Sequence, residues 1–388
     1  MKRIFICILI ALCLLFTACK KEATATFGTG GKEQSEVLQA TQKPSEEPGE
    51  EPSGGPAQEP SDPPATDTGS EAPQAHSHHF ENGACTGCSE VIYTVLSNGN
   101  IAFGSYPQSE VTDATLCAAL SAKVGTLPTA TAKGSWSDFE NESNSWYLDL
   151  EHEGERYRAL YFTAYRPQKC NDTAPAATQA AQYQNGYRTG TVYWFKYEPL
   201  EFRILQSSQG KALLACVSIV DAQAVHTTHL ATTVEGVSYS ANNYAQSALR
   251  SFLNGAFTES AFRSIERSCI VKTAVDNSAA TTAAPQGNRY ACENTEDTVF
   301  LLSYADICTT DYGFSANAKL ADGARQCAPS DYAKARGLSV TNGKSNWWLR
   351  SPCQDYDYGV YYADKDGIAK TIAAVYLGGI LPALQITL

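Results

Sequence analysis

The sequence predicts an α+β domain, rich in antiparallel strands with two or three short helices, behind a disordered N-terminal segment. Three observations carry that expectation. From Val91 onward most segments alternate apolar and polar side chains between turn signals, the pattern of half-buried strands. One stretch, NNYAQSALRSFLNGAFTESAFRSIERSCI, changes to helical spacing. And near residue 76 the composition shifts abruptly, from an acidic, proline-rich run to a sequence well supplied with aromatic residues. Strands interrupted by a pair of helices, without a regular βαβ alternation, indicate α+β rather than α/β.

The chain opens MKRIFICILIALCLLFTAC. Lys2 and Arg3 precede an apolar run from Ile4 to Phe16, then Thr17, Ala18 and Cys19. That order is an export signal over residues 1–18, and the apolar run is too short to span a bilayer as a helix. A cysteine directly after the small pair resembles a bacterial lipobox, with Phe16 departing from the usual aliphatic residue. The resemblance implies lipidation of Cys19 and attachment to the outer face of the cytoplasmic membrane, where several acyl chains hold far better than one.

Residues 19–75 then read as a tether. EEPGEEPSGGPAQEPSDPPATDTGSEAP offers nothing larger than alanine to bury beyond its prolines, so ordering entropy has no offset. Within the whole-chain charge of −12, residues 22–75 carry −9 and residues 76–388 carry −7, while Lys2, Arg3, Lys20 and Lys21 add +4. A flexible chain of this length spans about 40 Å. With no basic stripe to displace counterions from phosphates, nucleic acid is not an expected partner.

Next comes HSHHFENGACTGCSE, a small module over residues 76–90. His76 and His78 sit two apart, and Cys85 and Cys88 form a CxxC with Gly87 in the knuckle. Two imidazoles and two thiolates complete a tetrahedral zinc site, with His79 as the alternative second imidazole. A CxxC disulfide suits the exported context equally in kind. A redox pair wants a strand-to-helix setting that is not present here. The stretch also resembles a short HxH…NGxCxxC element beside the tethers of surface proteins from gut-type Gram-positive bacteria.

In the main domain, residues 91–388, GNIAFGSYPQSE reads as a short strand closed by a Tyr-Pro turn. SWYLDLEHEGERYRALYFTAYRP gives a hairpin around HEGE, and SSQGK closes a second hairpin within residues 191–225. Leu249, Phe252 and Leu253 mark a helix ending near Asn254-Gly255; a second short helix carries Ala261, Phe262 and Ile265 behind a Thr258 or Ser260 cap. DTVFLLSYADI is a strand running into a turn, NWWLRSP another strand, GVYYADKDGIAKT a hairpin around Asp366-Gly367, and GGILPALQITL a last strand.

The ordered blocks FGSYPQ, GERYRALYFTAYRP, TVYWFKYEPLEFRIL, SALRSFLNGAF, AFRSIE, DTVFLLS, WWLRSP and GILPAL resemble an uncharacterised bacterial domain-of-unknown-function family. Its hallmarks are a WWLRSP strand and a terminal GVRPAL strand. That family is in turn distantly similar to the C-type-lectin-like fold of the sulfatase-modifying (formylglycine-generating) proteins. The resemblance implies a lectin-like fold and no activity. This sequence has Leu381 where the family usually has arginine, and Cys353 where it usually has glycine.

Alternation along NWWLRSP puts Trp347 and Leu349 on one face and Trp348 and Arg350 on the other. Arg350 is either paired inside the fold or lies at the floor of a ligand groove. Beyond it Asp355, Tyr356, Asp357, Tyr358, Tyr361 and Tyr362 crowd together, with Gln354, Asp364 and Asp366 among them. Tyrosine supplies a rigid contact surface and carboxylates accept sugar hydroxyls, so this segment is the candidate ligand rim. The plain alternative is a solvated hairpin whose alternate tyrosines cover the sheet. Asp364 to Gly367 suits a hairpin turn better than a calcium loop, which needs later ligands.

Enzymatic readings fare less well. His152, His226 and His229 are the main domain's histidines, and none sits in an HExxH. His226 and His229 read as a solvated loop pair. Formylglycine-generating chemistry needs two neighbouring late cysteines, whereas Cys292, Cys308, Cys327 and Cys353 are dispersed. A carboxylate pair for glycoside hydrolysis remains the enzymatic alternative. Together these observations predict a surface lipoprotein whose domain binds an extracellular glycan, wall polymer or protein. Eight cysteines from Cys117 to Cys353 permit four disulfides or free thiols.

Overall fold

The computed structural model describes residues 79–139 and 142–388. The signal segment, Cys19, the tether, His76 and His78 lie outside the described residues. Among the described residues no helix is long and apolar enough to cross a membrane. The fold is mixed and sheet-rich, 35% strand against 16% helix, with one sheet curled into a half-barrel. The α+β expectation holds at that level.

The half-barrel has nine strands. Ile270–Val271, Ala383–Thr387, Lys211–Cys216, Val192–Ser208, Glu155–Phe162, Ser145–His152 and Ser137–Asp138 follow one another across it. Ile101–Glu110 pairs with Val192–Ser208 and carries Tyr93–Val95 on its other side. The 17-residue strand Val192–Ser208 is long enough to change partners along its length. Its first residues pair with Glu155–Phe162 and its last with Lys211–Cys216. The hairpins predicted around HEGE and SSQGK both form. In each two-residue loop both residues have positive φ, Glu153 and Gly154 in one and Gln209 and Gly210 in the other, which matches the strand twist.

Three expectations are corrected. Tyr106-Pro107 is no turn; both lie inside the ten-residue strand Ile101–Glu110, whose register is irregular on either side of them. A bulged ladder tolerates a residue without an N–H, and Gly104 makes the bend possible. Gly104 has φ +67°, and a Cβ there would stand 2.5 Å from the Phe262 ring. The helix does not stop at Asn254-Gly255 either. Ser247 caps Ala248–Phe252, a π turn follows over Leu253–Phe257 with Gly255 at φ −116° and ψ −105°, and Thr258–Ala261 continues it. Asn254 holds that kink, its amide donating to the Arg250 and Val299 carbonyls and its oxygen accepting from the Thr298 N–H.

The last correction concerns the C-terminus. GGILPALQITL is two strands, Gly378–Ile380 and Ala383–Thr387, in two different sheets. Leu381 and Pro382 make the crossing; Pro382 cannot donate to a ladder, but its carbonyl accepts from the Cys216 N–H at 2.9 Å. The second sheet has five strands in the order Asp221–Gln223, Gly378–Ile380, Trp347–Pro352, Gly359–Ala363, Ala369–Ala373. One continuous core joins the sheets, from Phe103, Phe202 and Leu214 to Trp347, Trp348 and Leu384. A smaller cluster of Trp136, Trp146, Tyr161 and Trp194 seals the outer face of the half-barrel under Leu120. None of the eight cysteines from Cys117 to Cys353 is in a disulfide.

Candidate functional site

All six residues of Trp347–Pro352 are buried. The strand is fixed from both faces, Trp347 Nε1 donating to the Arg325 carbonyl at 2.9 Å and Trp348 Nε1 to the Gln223 carbonyl at 2.8 Å. Arg350 does not reach a groove. Its guanidinium donates to the Leu301 carbonyl at 2.7 Å, to Asp306 at 2.8 Å and to the Asp276 carbonyl at 3.2 Å. With four of its five N–H donors used inside the protein and only 7% of its surface exposed, Arg350 holds the fold together and leaves the candidate ligand set.

The chain emerges immediately after this strand, and residues 354–358 are all exposed. Tyr356 is 56% and Tyr358 36% exposed. Their rings stack on each other with centroids 5.5 Å apart and planes 21° off parallel. Asp355 and Asp357 flank them. Tyr361 and Tyr362 are a different pair. Half-buried on Gly359–Ala363, they pack edge-on against Tyr304 and Trp348. Burial pushes the Tyr361 phenol up to about 12. So the structure separates the predicted rim: Asp355, Tyr356, Asp357 and Tyr358 face solvent, while Tyr361 and Tyr362 cover the sheet.

What makes the exposed segment a surface of fixed shape is a residue the sequence did not single out. Asn242, 1% exposed, donates through its one amide nitrogen toward three carbonyls, Tyr356 at 2.8 Å, Gly359 at 3.1 Å and Cys353 at 3.3 Å. Its backbone N–H donates to the Asp357 carbonyl at 3.0 Å. Ala374 N–H holds the Tyr358 carbonyl at 2.8 Å. Nothing in the string ANNY distinguishes such an asparagine from a loop residue.

A second feature was equally invisible. A cleft of about 560 Å³ opens where residues 142–145 and 164–174, at the edge of the half-barrel, meet residues 223–228, which leave the second sheet after Gln223. Its floor is an ion cluster. Glu142 accepts from Arg336 with both oxygens, at 3.0 and 2.8 Å, and pairs with Arg166 at 2.7 Å. Arg336 also reaches Asp221 at 3.3 Å, which in turn accepts from the Tyr106 hydroxyl at 2.9 Å. Burial alone would raise the Glu142 carboxyl, but the two guanidiniums outweigh it and hold the group below the usual carboxylate range.

His226, expected in a solvated loop, is only 8% exposed, because its backbone N–H is bonded to the Ala374 carbonyl. Its Nε2 has no hydrogen-bond partner among the described residues, and burial lowers its pKa. His229 is exposed. Among the described residues no three His, Cys, Asp or Glu side chains gather as a metal site.

In the small module, Phe80–Glu81 and Ala84–Cys85 form a hairpin through Asn82 and Gly83. Two backbone N–H groups point at sulfur, Gly87 to the Cys85 Sγ and Glu90 to the Cys88 Sγ, each at 3.4 Å. Arg263 ties the module down through Glu90 at 2.6 Å and the Val91 carbonyl at 2.8 Å.

No curated protein and no solved structure matches this chain. A family model does match its C-terminal part, covering the second sheet, the pinned loop and the last strand of the half-barrel. Residues 214–388 are similar to the family described as Domain of unknown function (DUF6273).

Proposed function

We propose that this chain is an exported lipoprotein, anchored through Cys19 to the outer face of the bacterial cytoplasmic membrane, whose main domain binds an extracellular glycan or wall polymer. Residues 19–75 act as the acidic spacer, and the domain is a distant relative of the C-type-lectin-like fold. The observation that supports binding most is the exposed Tyr356–Tyr358 stack, held in place from beneath by Asn242. Two rigid rings present a large surface at little entropic cost, and the flanking carboxylates accept hydroxyl protons. Pull-down on insoluble glycans and peptidoglycan tests it. The exported protein is retained, and the double variant Tyr356→Ala/Tyr358→Ala is retained at least tenfold less. Equal retention of both proteins removes the loop from consideration, and turnover of the polymer moves the domain to the glycosidase alternative.

A zinc ion in the module of residues 76–90 is supported by the two N–H···S hydrogen bonds, which stabilise thiolates over thiols. Cys85 and Cys88 supply two ligands in this reading and His76 and His78 the others. Elemental analysis of the purified protein then shows about one zinc per chain, reduced to background by Cys85→Ser/Cys88→Ser. Equal metal content in both proteins excludes the module as its site.

A further inference from the structure

We infer that the cleft over Glu142 and Arg166 is a second binding site, and that its ligand is an uncharged sugar chain. The volume of about 560 Å³ lies within the range of about 300–1,000 Å³ typical of small-molecule sites. The chemistry of the walls selects the ligand. The charged side chains that line the cleft are Glu142, Arg166 and Asp172. Each already faces an opposite charge: Glu142 meets Arg166 and Arg336, and Asp172 lies 3.8 Å from Lys169.

Arg166 is a poor anion receptor, because its charge is already matched by Glu142. Its Nη1 donates to the Ala222 carbonyl at 2.6 Å and the Arg336 carbonyl at 2.9 Å, and its Nη2 faces Glu142. A phosphate or carboxylate would have to break those bonds, and a cation would find Glu142 twice occupied. Charged ligands therefore gain little here.

Uncharged polar groups are another matter. Gln223, Ser145 and Thr227 line the cleft, and their side-chain amide and hydroxyls make no hydrogen bond to any described residue. Tyr165, Pro167, Ala248 and Leu377 contribute apolar surface to the same cleft. A cleft that combines free amides and hydroxyls with aromatic and aliphatic surface matches a sugar, which carries hydroxyls at its edge and C–H groups on its faces. The ion cluster makes the floor rigid, so the site is formed before the ligand arrives.

This cleft is also placed to share a polymer with the tyrosine loop. Ala374 holds the Tyr358 carbonyl, while three residues on Leu377 lines the cleft and donates to the Gln168 carbonyl. Those anchor points are at most about 11 Å apart along the chain. The cleft stands independently of the tyrosine loop, and the two are separable by experiment.

Cys170 lines the cleft and reports on its occupancy. The full exported protein is alkylated with iodoacetamide at mildly alkaline pH, and Cys170 labelling is read by peptide mass spectrometry. Millimolar tetrasaccharides of glucose and of N-acetylglucosamine are the neutral probes, and tetragalacturonate and a phosphate oligomer the charged ones. A neutral probe is expected to slow Cys170 labelling at least fivefold, with the charged probes within twofold of the ligand-free rate. Ala174→Trp, at an exposed position on the cleft wall, abolishes the protection without touching the core. Gln223→Ala weakens calorimetric binding about fivefold, one neutral hydrogen bond's worth. Tyr356→Ala/Tyr358→Ala leaves the protection intact, which separates this site from the loop. Protection by charged probes alone, protection unchanged in Ala174→Trp, or none from either neutral probe overturns the inference.

Discussion

Glu142 holds two guanidiniums at once, Arg166 at 2.7 Å and Arg336 through both oxygens, in a site where all three side chains are at most 13% exposed. Removing its charge leaves Arg166 without a carboxylate and Arg336 with only Asp221. Glu142→Gln is expected to cost about 3–5 kcal/mol in urea unfolding, the range for breaking a buried pair from one side. The pH dependence has a definite sign. Burial raises the Asp149 carboxyl too, but Arg158 and Arg156 outweigh it, so Glu142 and Asp149 both titrate below their ordinary values when folded. The unfolded chain binds more protons in that interval. Their contribution is therefore complete above the unfolded pKa of about 4 and is lost as pH falls through the folded values. Acid titration of stability in the wild-type and Glu142→Gln proteins checks this: the variant should lose part of the acid slope. In the sequence, NESNSW gives no hint of such a carboxylate, because its partners lie 24 and 194 residues away. Arg350 was half legible. Its tryptophan neighbours placed it in a buried strand, but only Asp306 and the Leu301 and Asp276 carbonyls show that the guanidinium is turned inward.

Among the elements, the strand Trp347–Pro352 and the loop after it show how a surface is made from a core. Hydrophobic content alone buries the strand, and the polar run QDYDY forces the chain out of it. The loop would be mobile if nothing held its carbonyls. Asn242 does so, and Asn242→Ala leaves the Tyr356, Gly359 and Cys353 carbonyls without that donor. A loss of about 1–3 kcal/mol is expected. More telling is local hydrogen exchange: the Cys353 and Gly359 amides, bonded at 2.8 Å to the Gly359 carbonyl and at 3.3 Å to the Tyr356 carbonyl, should exchange at least tenfold faster in the variant. Unchanged exchange would mean the loop keeps its shape without the asparagine. The tyrosines of Gly359–Ala363 illustrate the limit of pattern reading. Tyr356, Tyr358, Tyr361 and Tyr362 look alike in sequence, and only the pairing with Trp348 and Tyr304 divides them into rim and wall.

At the level of the whole domain, the C-terminal eleven residues thread both sheets, Gly378–Ile380 in one and Ala383–Thr387 in the other. The ion cluster crosses the same boundary, from Glu142 beside the half-barrel to Asp221 in the second sheet. Such coupling predicts a single cooperative transition. The five tryptophans divide usefully, Trp136, Trp146 and Trp194 beside the half-barrel and Trp347 and Trp348 in the second sheet. Urea unfolding followed by fluorescence in variants keeping one group or the other should superimpose on the circular dichroism curve. Separated midpoints would show two independent units. By itself the sequence determined the α+β class, the hairpins around HEGE, SSQGK and Asp366-Gly367, the buried tryptophan strand and the exposed acidic tyrosine run, since each follows from local periodicity and turn chemistry. Tertiary structure alone decided the split of the last strand, the pinning of the loop by Asn242 and the charged floor of the cleft. Those depend on contacts between residues distant in the chain, whose partners no local pattern encodes.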